Sequence, residues 1–364
     1  MPAQQKRPTP WWLPVVVAGL LAGLYLAGAY HFAGGQPEAI FHVGDPHRGT
    51  GYDGQFVYFM AQDLNPQRVA AHLDVPAYRY QRILLPLAAH LLSRGRPSGV
   101  LWAVWGVNFA GYLAGLLVWS RWLQTWQASP WWALLYGLWP GLLLPLRLGM
   151  PEPLAYGLAL LGLAAAARRR YLGMALALAA ALLTKEITLP FVLAAGAALW
   201  LSGHRRQAGM ALGGALLPWL AWQGWLWATF GRPGVGIGGY GATPPPPFPF
   251  GGLGQVFLRL PPAWLGAYLL VFGPALLLPL ATAFGWAYRR LRLQRADLWG
   301  WLLVGHLALA AALPMWSWDP FAVFRVLTGL MLAFWAVALQ EGRLRWLYRL
   351  LPFWGTLLAF AVAR

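Results

Sequence analysis

Residues 12–32 read WLPVVVAGLLAGLYLAGAYHF, a run without an acid, an arginine or a lysine. Roughly 20 predominantly apolar residues are what an α-helix needs to cross the hydrocarbon core of a bilayer. Lys6 and Arg7 precede the run, which places the N-terminus on the cytoplasmic side. Its end near Ala27-Gly28-Ala29 leaves two readings, a cleaved signal peptide or a retained anchor. The length of the apolar run favours the anchor, and both readings put the chain after Phe32 outside.

The rest of the chain has the same character. Of 364 residues 59% are hydrophobic and 10% charged, which excludes a soluble domain of this size. The expectation is an all-α polytopic membrane protein with about 11 transmembrane helices, in a range of roughly 9–12. The candidate spans are 12–32, 99–120, 130–147, 151–167, 171–184, 186–202, 208–229, 264–288, 297–314, 321–339 and 347–363. The short pair 154–167 and 171–184 needs tilt, a locally thin bilayer or protein surroundings. The whole chain, 1–364, reads as one membrane domain. After the first helix comes an outer loop, 33–98, with amphipathic interfacial helices. A bundle over 99–229, a Gly/Pro-rich outer loop over 230–262 and C-terminal helices over 264–363 follow. Cysteine is absent, which removes disulfides, thiolate catalysis and Cys-ligated metals together.

Charge orders this threading. With the N-terminus inside, the inner turns carry Arg121, Arg168 to Arg170, Arg205 with Arg206, Arg289 to Arg295, and Arg343 to Arg349. Basic inner loops are the positive-inside pattern. Glu38, Asp45, Asp53, Asp63, Asp74, Glu152, Glu186 and Asp319 then fall outside, with Asp297 and Glu341 inside. Acids have little influence on orientation, so their gathering on one side points to an outward-facing polar cavity. The net charge of +17 reads as insertion signal and anionic-lipid contact, not as nucleic-acid binding. Trp11, Trp12, Trp131, Trp132, Trp264, Trp299, Trp301 and Trp346 lie near span ends and read as interfacial-belt residues. Trp316 and Trp318 carry a second reading, sugar stacking. The stretch 231–252, GRPGVGIGGYGATPPPPFPFGG, is either a linker or a lid over the outer cavity.

The wet segment from Gly34 to Arg82 holds five of the ten acids and the string Gly51-Tyr52-Asp53-Gly54-Gln55-Phe56. Phe56, Phe59, Met60 and Leu64 recur at helical spacing beside Asp53 and Asp63, as in a helix lying on a membrane. Further on, Arg79-Tyr80-Gln81-Arg82 opens a second apolar segment, so Arg79 and Arg82 are expected at a helix N-terminus. Cations are unfavourable there, and a compensating anion is expected; a phosphate would satisfy the arginines and the backbone amides together.

Three strings, Tyr52-Asp53-Gly54-Gln55-Phe56, Pro76-Ala77-Tyr78-Arg79-Tyr80-Gln81-Arg82-Ile83-Leu84 and Leu183-Thr184-Lys185-Glu186, resemble bacterial members of the C-type integral-membrane glycosyltransferases. The resemblance implies a sugar donor linked to a polyprenyl phosphate, an acid in the first outer loop, and a site on the outer face of a bacterial plasma membrane. For this chain it implies Asp53 as general base and Arg79, Arg82 and Lys185 on the donor phosphate. Tyr52, Gln55, Tyr78, Gln81, Glu152, Glu186 and Arg325 are the expected substrate-binding residues. Many members carry adjacent acids in that loop, whereas Asp53 is flanked by Tyr52 and Gly54. That makes the base, not a metal ligand, the role the resemblance gives it. No cofactor is assigned and a divalent metal stays open; the acceptor is a glycan, lipid or protein.

Each of these residues has a plainer reading. Asp53 beside Gly51 and Gly54 suits a helix N-cap or a turn. Arg147 with Glu152, Lys185 with Glu186 and Asp319 with Arg325 can neutralise one another locally or snorkel to headgroups. Lys185 stands out because Lys6 is the only other lysine. His42 and His47 near Asp45 outline a metal site without a recognised ligand spacing. Other histidines read as core or interfacial. A transporter or flippase for a lipid-linked or anionic solute, and a non-catalytic envelope-assembly protein, are the rival functions.

Overall fold

A computed structural model describes residues 9–48, 50–240, 242–293, 297–349 and 351, all-helical among those residues and without a strand. Three helices are long and apolar enough to cross a membrane: Leu13–Phe32, Pro97–Thr125 and Pro262–Arg292. Six further apolar helices run 10–17 residues. At about 1.5 Å per residue each is shorter than the ~30 Å hydrocarbon core. Thr328–Gln340 explains why such a helix is short yet entirely apolar. Every residue from Thr328 to Leu339 is buried, so it is an interior helix and not a surface span.

Close packing between two other helices uses small residues. Gly111 and Gly115 of Pro97–Thr125 face Gly157 of Glu152–Ala167. A Cβ on Gly111 would lie 2.6 Å from Leu154 Cα, and one on Gly157 would collide with the Gly111 carbonyl. Only glycine permits this approach, the small-residue contact by which membrane helices gain dispersion energy.

Several expected elements differ. The span 130–147 is a 3₁₀ turn and two short helices, Ala133–Gly137 and Pro140–Arg147. Proline at position 140 disfavours helical backbone at the preceding residue, and Trp139 is extended (φ −68°, ψ 121°). The span 321–339 divides at Leu327 into Pro320–Val326 and Thr328–Gln340. There the Tyr156 hydroxyl donates to the carbonyls of Arg325 and Val326 at 3.2 and 3.5 Å, a side chain inserted where the helix bends. The loop expected over 230–262 contains the helix Gly251–Arg259. The last expected span, 347–363, lies almost wholly outside the described residues. Trp299, expected at an interface, is buried against Trp119, Trp122 and Trp126.

Candidate active site

The helix Gly54–Gln62 forms where the apolar spacing expected one, but it does not lie on a surface. Residues Gly54 to Tyr58 are buried, and a Cβ on Gly54 would strike the Leu148 carbonyl. Asp53 stands at the N-cap position with helical φ −54° and ψ −28°, and its side chain makes no capping hydrogen bond. The plain reading of Asp53 as a cap therefore fails.

Its carboxylate is instead held by two guanidiniums. Arg79 Nη1 donates to Oδ1 at 3.0 Å, while Arg325 Nη1 and Nη2 each donate to Oδ2 at 3.2 Å. Arg79 is locked from its other edge. Its Nε and Nη2 donate to the two oxygens of Asp74, both at 2.7 Å, and its guanidinium lies 3.9 Å from the centre of the Phe56 ring. Burial pushes the Asp53 carboxyl up, but Arg79 and Arg325, aided by Arg82 and Lys185, outweigh it and hold it well below the usual carboxylate range. Asp74 is lowered in the same way, burial being overcome by Arg79 and by the N–H groups of Tyr240 and Val75.

Behind this front lie two further pairs. Lys185 Nζ donates to Glu152 Oε1 at 2.5 Å, with side-chain exposures of 5% and 0%. Arg82 grips both oxygens of Glu186 and also donates to Tyr78 Oη at 2.7 Å. The ion partners are not the sequence neighbours that the chain first pairs by eye. Lys185 is extended (φ −162°, ψ 126°) between a helix and a 3₁₀ turn, and it and Glu186 take different ion partners. Glu152 meets Lys185 and, at 3.7 Å, Arg325, while Arg325 reaches Asp53 rather than forming its ion pair with Asp319.

The expected helix start at Arg79 also differs. Arg79 lies in the last turn of Pro76–Tyr80, where a cation suits the dipole, and the next helix, Leu84–Ser93, begins after Arg82. The compensating anions are the protein's own carboxylates, Asp74 and Glu186.

A cavity of about 690 Å³ opens beside Asp53. Tyr52, Asp53, Tyr78, Arg79 and Arg325 line its polar side, and Asp319 is also in the lining. Val256, Leu260, Trp264, Val271 and Phe272 make the opposite, apolar side; Trp316 and Trp318 join the wall from the turn Met315–Trp318. A second void of about 20 Å³ separates the front from the rear, bordered by Asp53, Arg79, Arg82, Lys185 and Arg325. It has room for about one water and none for a phosphate group.

Gly239, Tyr240 and Ala242 of the Gly/Pro-rich stretch line the cavity. Gln223 Oε1 accepts from Gly234 N and Val235 N at 2.8 and 3.1 Å, and Asp74 Oδ2 accepts from Tyr240 N at 2.8 Å. Gly239 sits against the Arg79–Asp74 pair so closely that a Cβ would lie 2.8 Å from Asp74 Oδ2.

The expected site residues thus separate. Asp53, Tyr52, Tyr78, Arg79 and Arg325 meet at the cavity; Arg82, Lys185, Glu152 and Glu186 stand behind it. Gln55 does not reach the cavity lining: its Oε1 accepts from Gly44 N at 3.0 Å and its Nε2 donates to Thr50 O at 3.3 Å, so it braces the preceding loop. Gln81 is buried with its Cβ against Gly234. Asp74 was not singled out from the sequence, although an acid five residues before Arg79 and next to Val75-Pro76 was its visible signal. His47 Nε2 pairs with Ala71 O at 2.9 Å, and among the described residues no three His, Asp or Glu side chains gather as a metal site. No protein-family model, curated protein or solved structure matches this chain.

Proposed function

We propose that this chain is a membrane glycosyltransferase of the C type, moving a sugar from a polyprenyl-phosphate donor to an acceptor hydroxyl at the outer face of a bacterial plasma membrane. The observation that supports this most is the placement of Asp53. An ionised carboxylate and two guanidiniums meet at one side of a cavity whose other side is aromatic and aliphatic. Such a cavity, within the usual ~300–1,000 Å³ of small-molecule sites, fits a ligand with a charged head and an apolar tail.

The reaction follows from those groups. Asp53 takes the proton of the acceptor hydroxyl as its oxygen attacks the anomeric carbon. The bond from that carbon to the phosphate oxygen breaks, and its electron pair leaves with the lipid phosphate. A single displacement inverts the anomeric centre. Arg325 meets the growing negative charge directly, Arg79 adds its field from the cavity wall, and Arg82 and Lys185 add theirs from behind the small void. The product would serve cell-envelope glycan or glycolipid.

Transfer of a labelled sugar from a polyprenyl-phosphate donor by the purified chain is the test. Asp53→Asn should lower transfer by about 10²–10⁴-fold, the usual contribution of a general base, while the protein stays folded. Near-parent turnover by that variant would remove the base, and a carrier for an anionic lipid would become the better reading. The proposed orientation puts exposed Thr50 outside. Thr50→Cys, in a chain with no native cysteine, should react with an impermeant thiol reagent added outside; reaction only from the cytoplasm would reverse the topology.

A further inference from the structure

The two arginines on Asp53 are not equivalent. Arg79 is held bidentately by Asp74, packs on Phe56 and is covered by the Gly239–Tyr240 backbone. Arg325 has no such second clamp. Its Nη1 also touches Met150 Sδ, a soft and weak acceptor, and Glu152 stands 3.7 Å from its Nε, beyond hydrogen-bond reach. The Nε–H has no hydrogen-bond partner among the described residues. Its two bonds to Asp53, at 3.2 Å, are longer than the 3.0 Å bond from Arg79.

The cations of the cluster are also all taken, and Asp319 adds a further acid to the cavity wall. Arg79, Arg82, Lys185 and Arg325 face Asp53, Asp74, Glu152 and Glu186, so each cation already has a carboxylate. A phosphate can enter only by competing for a cation that a carboxylate now holds. Lys185 and Arg82 lie behind a void too small for it, and Arg79 would have to break two 2.7 Å bonds.

We infer that Arg325 is the exchangeable guanidinium: an incoming lipid phosphate takes it from Asp53, leaving Asp53 on Arg79 alone. The inference rests on the glycosyltransferase reading and deepens it. Exchange frees a carboxylate oxygen, Oδ2, to receive the acceptor proton. It also matches the charge flow of the reaction. Negative charge disappears from Asp53 as the proton arrives and appears on the departing phosphate. A guanidinium that moves from the first to the second follows the charge without any net change in the cluster.

The exchange makes a prediction opposite to that of a structural ion pair. Asp53 competes with the ligand for Arg325, so removing its charge should strengthen phosphate binding. Farnesyl phosphate is the probe, titrated into the full chain in detergent, with inorganic phosphate and farnesol as separate arms. Parent protein should bind farnesyl phosphate, Asp53→Asn should bind it about tenfold more tightly, and Arg325→Gln about tenfold more weakly. The gain from Asp53→Asn should vanish in the Arg325→Gln background. Arg325→Lys, which keeps the charge, gives an intermediate affinity and guards against a folding defect, checked by melting temperature.

Binding by Asp53→Asn no tighter than by parent, with parent binding intact, overturns the exchange and leaves the glycosyltransferase reading standing. So does a gain that survives Arg325→Gln. A parent that binds none of the probes overturns both. Inorganic phosphate with the same dependence on Asp53 and Arg325 supports the exchange but removes the lipid tail from it.

Discussion

The front and the rear of the ion cluster use the same chemistry to different ends. In front, one carboxylate is shared by Arg79 and Arg325, is 32% exposed and borders a large cavity. In the rear, Lys185 and Glu152 pair at 2.5 Å with almost no exposure and border only a water-sized void. Both are cation–carboxylate pairs within salt-bridge reach. What separates them is access: a carboxylate that a substrate can reach has a reaction open to it, and a sealed pair contributes to the fold. Charges in a low-dielectric interior are costly unless paired, and the rear charges are paired with one another, with Glu152 Oε2 left without a hydrogen-bond partner among the described residues.

That contrast can be broken by stability measurements. Glu152→Gln strands the Lys185 ammonium in an apolar interior and should cost about 3–5 kcal/mol, read as a large fall in melting temperature. Replacing both partners with apolar residues, Lys185→Met with Glu152→Leu, should recover most of that loss, because neither charge remains to be solvated. Asp53→Asn, by contrast, should cost less, since Arg79 keeps Asp74, the asparagine oxygen still accepts a hydrogen bond, and Asp53 borders the cavity. If the Asp53 variant melts as early as the Glu152 variant, the front is a structural element and the contrast is void.

A smaller effect sharpens the same point through pH. Asp53 and Asp74 both have carboxyls held below the ordinary range, so they bind protons less readily folded than unfolded. Their contribution to stability is therefore fully present above the unfolded carboxylate value of about 4 and is lost as pH falls below it. The difference in melting temperature between parent and Asp53→Asn should be flat from pH 6 to 8 and should shrink only below about pH 4. A difference that drifts between pH 6 and 8 would mean that another group titrates with Asp53.

The degree to which the site was legible follows the same division. Asp53, Arg79, Tyr52 and Tyr78 stand in one polar island within an apolar chain, and the cavity borders all of them. Asp74 lies in that island too, but an acid beside a proline turn looks like loop chemistry until Arg79 is seen gripped by it. The breaks at Trp139 and Leu327 were hidden for another reason. Hydropathy averages over a window and does not register that Pro140 straightens its neighbour or that Tyr156, far away in the chain, inserts at Arg325.

Helicity and apolarity were thus properties of the chain itself: local periodicity and composition decide whether a segment can satisfy its backbone in a medium without water. Which cation meets which carboxylate was not local. Lys185 and Glu186 are adjacent in the chain yet bond to Glu152 and Arg82, partners that packing brings from other helices and loops. Arg325 comes to Asp53 across almost the whole length of the described chain. Contacts of that kind exist only once the helices have packed, and they decide which of the charges face the cavity.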